Sequence, residues 1–154
     1  MAAITHVYPA NQHSAMAFLK GKKFAAAVTA NVATMPQRAY VSEGDVVQMI
    51  PVMKGLLVTD VWLRMDTSLI AVSATVSIGD GDGVSGYAAS VSTKGACGIL
   101  RKSLEAINNY GVGKLYTAAD TIDIKWSAVS GAASNVSVGI VTLVAEGVLL
   151  EQYA

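Results

Sequence analysis

The residues of this chain with the most chemical potential lie in one glycine-rich stretch. Residues 79 to 86 read GDGDGVSG, which places Asp80 and Asp82 two positions apart among four glycines. Alternate carboxylates are what a calcium loop uses, but such a loop continues with a third oxygen ligand and a glutamate at its twelfth position, and here those positions hold Val84 and Val91. Gly81, Gly83 and Gly86 match the spacing of a dinucleotide fingerprint and follow a predicted strand. The segment behind them, YAASVSTKG, does not form the helix whose N-terminus would meet a pyrophosphate. The stretch therefore reads as a tight turn between strands, with Asp and Gly supplying the conformations that turns need.

Other reactive side chains are few and scattered. His6 and His13 both fall in the N-terminal segment, and Cys97 is the single cysteine. A zinc site needs more Cys and His ligands than these three bring together, and a nucleophilic thiol needs a base beside it. Cys97 reads as a small buried thiol. GVGK at 111 to 114 resembles part of a phosphate loop, but the earlier glycine that such a loop requires is Asn108, and Leu115 follows the lysine. The carboxylate pairs Asp120 with Asp123 and Asp60 with Asp66 fit turns and wet strand faces as well as they fit acid–base work. No catalytic, cofactor-binding or metal set emerges, and the chain is expected not to be an enzyme.

The elements that must position these residues are strands. Phe24, Ala26, Val28, Ala30 and Val32 alternate with polar or small residues, and so do Ala74, Val76 and Ile78, and Ile122, Ile124 and Trp126. In the strand from Leu56 to Met65 the period of two sets Leu57, Thr59, Val61, Leu63 and Met65 on one side. Pro51 lacks an N–H, so its end of the strand from Asp45 to Val52 should lie at a sheet edge or leave the ladder. One helix is predicted, from Ile99 to Asn109, on the spacing of Leu100, Leu104 and Ile107. About eight strands with turns every 8 to 12 residues make the fold an all-β, jelly-roll-like antiparallel β-sandwich with one short helix. Residues 1–23 form an irregular N-terminal segment or arm, and residues 24–154 form the sandwich domain.

Composition narrows the function. In 154 residues, 53% are hydrophobic and only 14% charged, against about 25% charged in ordinary soluble domains. So little surface charge favours an assembly that covers part of the chain. Eleven basic and eleven acidic residues cancel, so the footprint of a nucleic-acid binder is missing. The most apolar run, Val136 to Leu150, is interrupted by Ser137, Thr142 and Glu146 and falls short of the roughly 20 apolar residues that a membrane-spanning helix needs.

Three segments together resemble the head decoration, or capsid cement, proteins of tailed bacteriophages: GDVVQMIPVMKGLLVTDVWLRM at 44 to 65, VSIGDGDGVSGYAAS at 76 to 90 and YGVGKLYTAADTIDIKW at 110 to 126. The resemblance covers the central part of the chain, and no catalytic residue carries over with it. It implies a jelly-roll body on the outer surface of the virion, made and assembled in the host cytoplasm. The implied partners are the major capsid protein and further copies of the chain in a homotrimer or homodimer, without direct contact to nucleic acid or membrane and without a cofactor. Lys20, Lys22 and Lys23, with Phe18 and Trp62, are the candidate capsid or subunit contacts. A carbohydrate-binding jelly roll is the alternative, using Trp62 with Asp60 or Trp126 with Asp123 to stack and hydrogen-bond a sugar.

Overall fold

The computed structural model describes residues 5–7, 23–37, 40–65, 73–93, 98–101, 110, 113–130, 135–136 and 139–150. The strands in chain order are β1 (Thr5–Val7), β2 (Lys23–Asn31), β3 (Val41–Ser42), β4 (Val46–Val52), β5 (Leu56–Met65), β6 (Ser73–Gly79), β7 (Ala88–Ser92), β8 (Gly98–Arg101), β9 (Lys114–Leu115), β10 (Asp120–Ser130), β11 (Asn135–Val136) and β12 (Ile140–Leu149). One sheet runs β1-β4-β10-β6-β7, and the other runs β2-β12-β5-β8 with β9 also paired to β5. Pairing is antiparallel throughout except for β1 on β4. The chain passes between the two sheets from β2 to β4 to β5 to β6, and again from β7 to β8, β10 and β12. Leaving aside β1 and the two-residue β3–β11 pair, this is the two-Greek-key wiring of a jelly roll.

The inward faces follow the period of two. Phe24, Ala26, Val28 and Ala30 of β2 pack with Val141, Leu143 and Ala145 of β12, and Ile122, Ile124 and Trp126 of β10 oppose them from the other sheet. Trp126 is wholly buried, so it cannot stack on a sugar, which removes the expected Trp126–Asp123 sugar platform.

Two bulges break the simple alternation. In β5, Asp60 pairs with Glu146 and Val58 with Gly147, leaving Thr59 as an extra residue. Leu56 and Val58 therefore point inward before it, and Val61, Leu63 and Met65 after it. The expected face containing Leu57 and Thr59 is corrected accordingly, because an inserted residue reverses the parity of everything beyond it. The partner strand makes room for the bulge: a Cβ on Gly147 would sit 2.3 Å from the Leu57 carbonyl oxygen and 3.0 Å from the Val58 Cα. In β4, Met49 is the extra residue opposite β10, so Met49 and Ile50 are both buried.

Pro51 sits beyond the stretch where β1 pairs with β4, which runs from Val46 to Gln48, while remaining in register with Thr121 of β10. Among the described pairings Pro51 therefore has a strand on one side alone, a place where a residue without an N–H is tolerated. The predicted helix is corrected at its start, since Ile99 to Arg101 lie in β8 against β5; residues 102–109 lie outside the described residues. The strand pairing supplies partners for these backbone groups, which overrides a short helical spacing.

Gly147→Ala is expected to lower stability by about 1–3 kcal/mol, the usual cost of forcing atoms into a packed site. Urea unfolding should show a lower midpoint at an unchanged slope; an unaltered midpoint would mean that the bulge does not depend on this glycine.

Candidate functional site

The glycine-rich turn after β6 folds back on itself. A Cβ on Gly79 would lie 2.0 Å from the Gly83 carbonyl oxygen, so only glycine permits this approach. The Asp80 N–H donates to that same oxygen at 3.1 Å, and the Gly86 N–H does so at 2.9 Å. Asp80 then turns its carboxylate into the loop. Its Oδ1 accepts the backbone N–H groups of Asp82 and Gly83, each at 3.0 Å, which is the side-chain-to-backbone pattern that makes Asp a turn residue.

Side chains from a distant part of the sequence complete the cluster. Lys114 of β9 donates to Asp80 Oδ2 at 2.7 Å and to Asp82 at 2.9 Å. The Tyr116 hydroxyl donates to Asp80 Oδ2 at 2.7 Å, and the Tyr110 hydroxyl donates to Oδ1. Because the Tyr116 proton is committed to Asp80, the Tyr87 hydroxyl donates to Tyr116 at 2.9 Å. Lys114 Nζ also stands 4.4 Å from the centroid of the Tyr110 ring and 4.8 Å from that of Tyr116, within cation–π range. The Tyr110 ring covers Gly86, where a Cβ would come within 2.0 Å of it, and meets the Tyr87 ring edge-on at 4.9 Å.

This hub joins the sheets. Asp80 leaves β6 of the first sheet, whereas Tyr116 is tied to the second, its N–H donating to the Leu56 carbonyl and its own carbonyl accepting from Gly55. The Asp80 side chain is 0% exposed and that of Lys114 13%. Burial opposes ionisation of Asp80, but hydrogen bonds from Lys114, Tyr110, Tyr116 and the Gly83 amide outweigh it and hold the carboxyl below its usual 3.8. Burial likewise opposes the Lys114 charge, and its bonds to Asp80, Asp82 and Tyr110 reverse that and hold the amine above its ordinary range. Burial pushes Tyr110 up to about 12, and Tyr87 and Tyr116 also rise, so all three remain protonated donors.

Chemically the hub is a saturated ion pair. Both Asp80 oxygens are committed, and although carboxylate oxygens of Asp80, Asp82 and Asp120 lie within 4.8 Å of one another, the Lys114 ammonium already provides the positive charge on Asp80 and Asp82. Beside it Asp123 differs. It is half-buried on β10, its Oδ1 is buried without a hydrogen-bond partner, and burial first, then the charges of Asp120 and Asp80, push its carboxyl up to about 7.

Among the sequence-predicted contacts, Lys23 opens β2 exposed and Trp62 lies half-buried on the outward face of β5, so the two are on the outer side of the same sheet. Phe18, Lys20 and Lys22 lie outside the described residues, as do His13, Asp66 and Cys97. In the sequence Asp80 has the pattern of an ordinary turn residue, and its tyrosine donors stand 30 and 36 positions away. The available signal was the placing of Tyr87, Tyr110 and Tyr116, three of the chain's six tyrosines, beside its glycine-rich turns.

Asp80→Asn should destabilise the fold by about 3–5 kcal/mol, because it removes the buried carboxylate of the Lys114 ion pair and leaves the exposed Asp82 as the lysine's remaining counter-ion. Asp80→Asn combined with Lys114→Met should cost less than the sum of the two single changes, as read from a double-mutant cycle of urea unfolding. The Asp80 contribution is present above the ordinary carboxyl value of 3.8 and is lost only as pH falls through the lower folded value. Asp123 works in the opposite sense. Its raised folded value means that the native state binds the extra proton between about 4 and 7, so stability falls as pH rises through that window. Asp123→Asn should flatten this slope; a slope that survives the substitution would assign it to another group.

No protein-family model matches this chain, and no curated protein matches it. Among solved structures it is similar to a chain from the capsid of Ralstonia phage GP4, with a TM-score of 0.57 at 15% identity, covering 84% of this chain and 86% of that one. At that identity the likeness is one of fold, and it extends over nearly the whole of both chains.

Proposed function

We propose that this chain is a structural component of a phage head that decorates the outside of the capsid, bridging major capsid protein subunits and stabilising the shell. The observation that carries the reading is the jelly-roll likeness to a phage capsid chain over 84% of the sequence. The chemistry is in keeping with it. A cement protein needs no reaction: it binds the assembled lattice and not its free pieces, and so shifts the assembly equilibrium by mass action. The most elaborate polar cluster of the described residues is spent largely on joining two sheets, with both oxygens of Asp80 taken. The sparse charge of the chain, 14% of residues, suits a subunit whose surfaces are partly covered by other subunits.

In this reading residues 24–154 form the body, with Thr5–Val7 added to its first sheet as β1, and the rest of residues 1–23 an arm that reaches the capsid surface, with Lys20, Lys22, Lys23 and Phe18 among its contacts. Lys23 sits at the point where the arm enters the sandwich, exposed at the start of β2. The net charge of zero disfavours direct contact with packaged nucleic acid.

The test uses heads of the encoding phage purified without this protein. Added protein should bind saturably, at a fixed ratio to the major capsid protein, and raise the temperature at which the heads release DNA. Removal of residues 2 to 19 should lower occupancy at least tenfold if the arm makes the contacts. An absence of saturable binding by the full chain overturns the decoration reading, and full occupancy by the truncated chain overturns the arm.

A further inference from the structure

The polar hub lies at one end of the sandwich, and that end has further features in common. Asp120 of β10 pairs with Val52 at the end of β4, and the short turn at 53 to 55 leads from there into β5. The Gly55 N–H donates to the Tyr116 carbonyl, and the Gly55 carbonyl accepts from Leu150, just after β12. Val148 of β12 in turn pairs with Lys23 at the start of β2. Because β1 runs parallel to β4 toward this end, the chain leaves β1 and enters β2 where the hub is. Two loops form the surface here. One is the turn after β6, and the other holds Thr117, Ala118 and Ala119, all exposed. Gly81 and Asp82 line one cleft together with those three residues, which sets the loops side by side.

Val84 stands at the tip of the first loop. At 49% exposure it is the one large apolar side chain left open among the described residues. The backbone beneath it is held from several directions: the Gly83 carbonyl accepts from Asp80 and Gly86, and Asp80 Oδ1 accepts the amides of Asp82 and Gly83. Gly79 packs under Val84 itself, since a Cβ there would lie 2.4 Å from the Val84 carbonyl carbon. A branched side chain on a backbone so fixed loses little freedom when a partner covers it.

We infer that this end of the sandwich faces the shell, with Val84 seated in an apolar depression on the outer surface of the major capsid protein and Ala118 and Ala119 packed beside it. The inference rests on the decoration reading and adds an orientation to it. The arm selects the occupant. Lys23 belongs to this end, so the contacts assigned to the arm and those of the two loops fall on one surface and can engage the same lattice together. The hub then has a second use: Lys114, Tyr110 and Tyr116 hold the docking loop in its bound shape in advance.

The test uses the full chain and heads purified without it. Val84→Asp and Ala118→Arg each put a charge into an apolar contact and should weaken head binding by about tenfold or more. Ala33→Arg alters an exposed residue beside Asn31, at the opposite end of β2, and should bind as the unmodified chain does. Urea midpoints taken alongside separate a lost contact from a lost fold, and Val84→Ser should weaken binding at an unchanged midpoint. Undiminished binding by either loop variant, or an equal loss with Ala33→Arg, would overturn the orientation and leave the decoration reading intact. A Val84→Asp chain that binds heads normally but sediments as a smaller species than the unmodified protein would give this end to contacts between copies, and the inference would fall. If the unmodified chain does not bind heads, the decoration reading and the orientation fail together.

Discussion

A carboxylate removed from water must be met by donors, and Asp80 imposes that requirement on one end of the sandwich. Its Oδ1 and Oδ2 take two backbone amides, two tyrosine hydroxyls and a lysine. Burying an unmatched charge is so unfavourable that these partners cannot be replaced piecemeal. The donors come from two places, the loop after β6 and the segment from Tyr110 to Tyr116, and satisfying the charge holds those places together. The glycines around it follow from the same constraint: Gly79 lets the loop close on Gly83, and Gly86 gives the Tyr110 ring a surface to lie on.

The two sheets meet through apolar faces that carry little directional information, so register has to be set elsewhere. Bulges set part of it. Thr59 in β5 and Met49 in β4 each add one residue to a strand, and each reverses which side chains reach the core. In β5 the consequence is external as well as internal, since Asp60, Trp62 and Arg64 share the outward face because of that insertion. A packing accommodation between Gly147 and Leu57 thus decides which residues of β5 face outward.

The polar hub of this jelly roll is structural, joining the loop after β6 to the segment that is tied to the second sheet. Both Asp80 oxygens are spent on holding two sheets in place. Asp123 is the exception nearby, a carboxylate whose burial costs stability as it ionises. Its place on the central strand β10 makes that cost a property of the whole first sheet.

By itself the sequence determined the strands and their inner faces. Phe24 to Val32 and Ile122 to Trp126 alternate in the sequence as they do in the sandwich, because a period of two is a local property of extended backbone. It also determined the turns, through Gly and Asp, and the scarcity of charge. Only the tertiary structure decided that Asp80 is a hub and not a turn residue, since its donors Lys114 and Tyr116 lie 34 and 36 positions away and no local pattern encodes so distant a meeting. The same holds for β8, where the hydrogen bonds offered by β5 took Ile99 to Arg101 out of a helical spacing, and for Thr59, whose insertion depends on a glycine in another strand. Local periodicity is written in neighbouring residues. Parity after a bulge and the pairing of a buried charge depend on what the fold brings alongside.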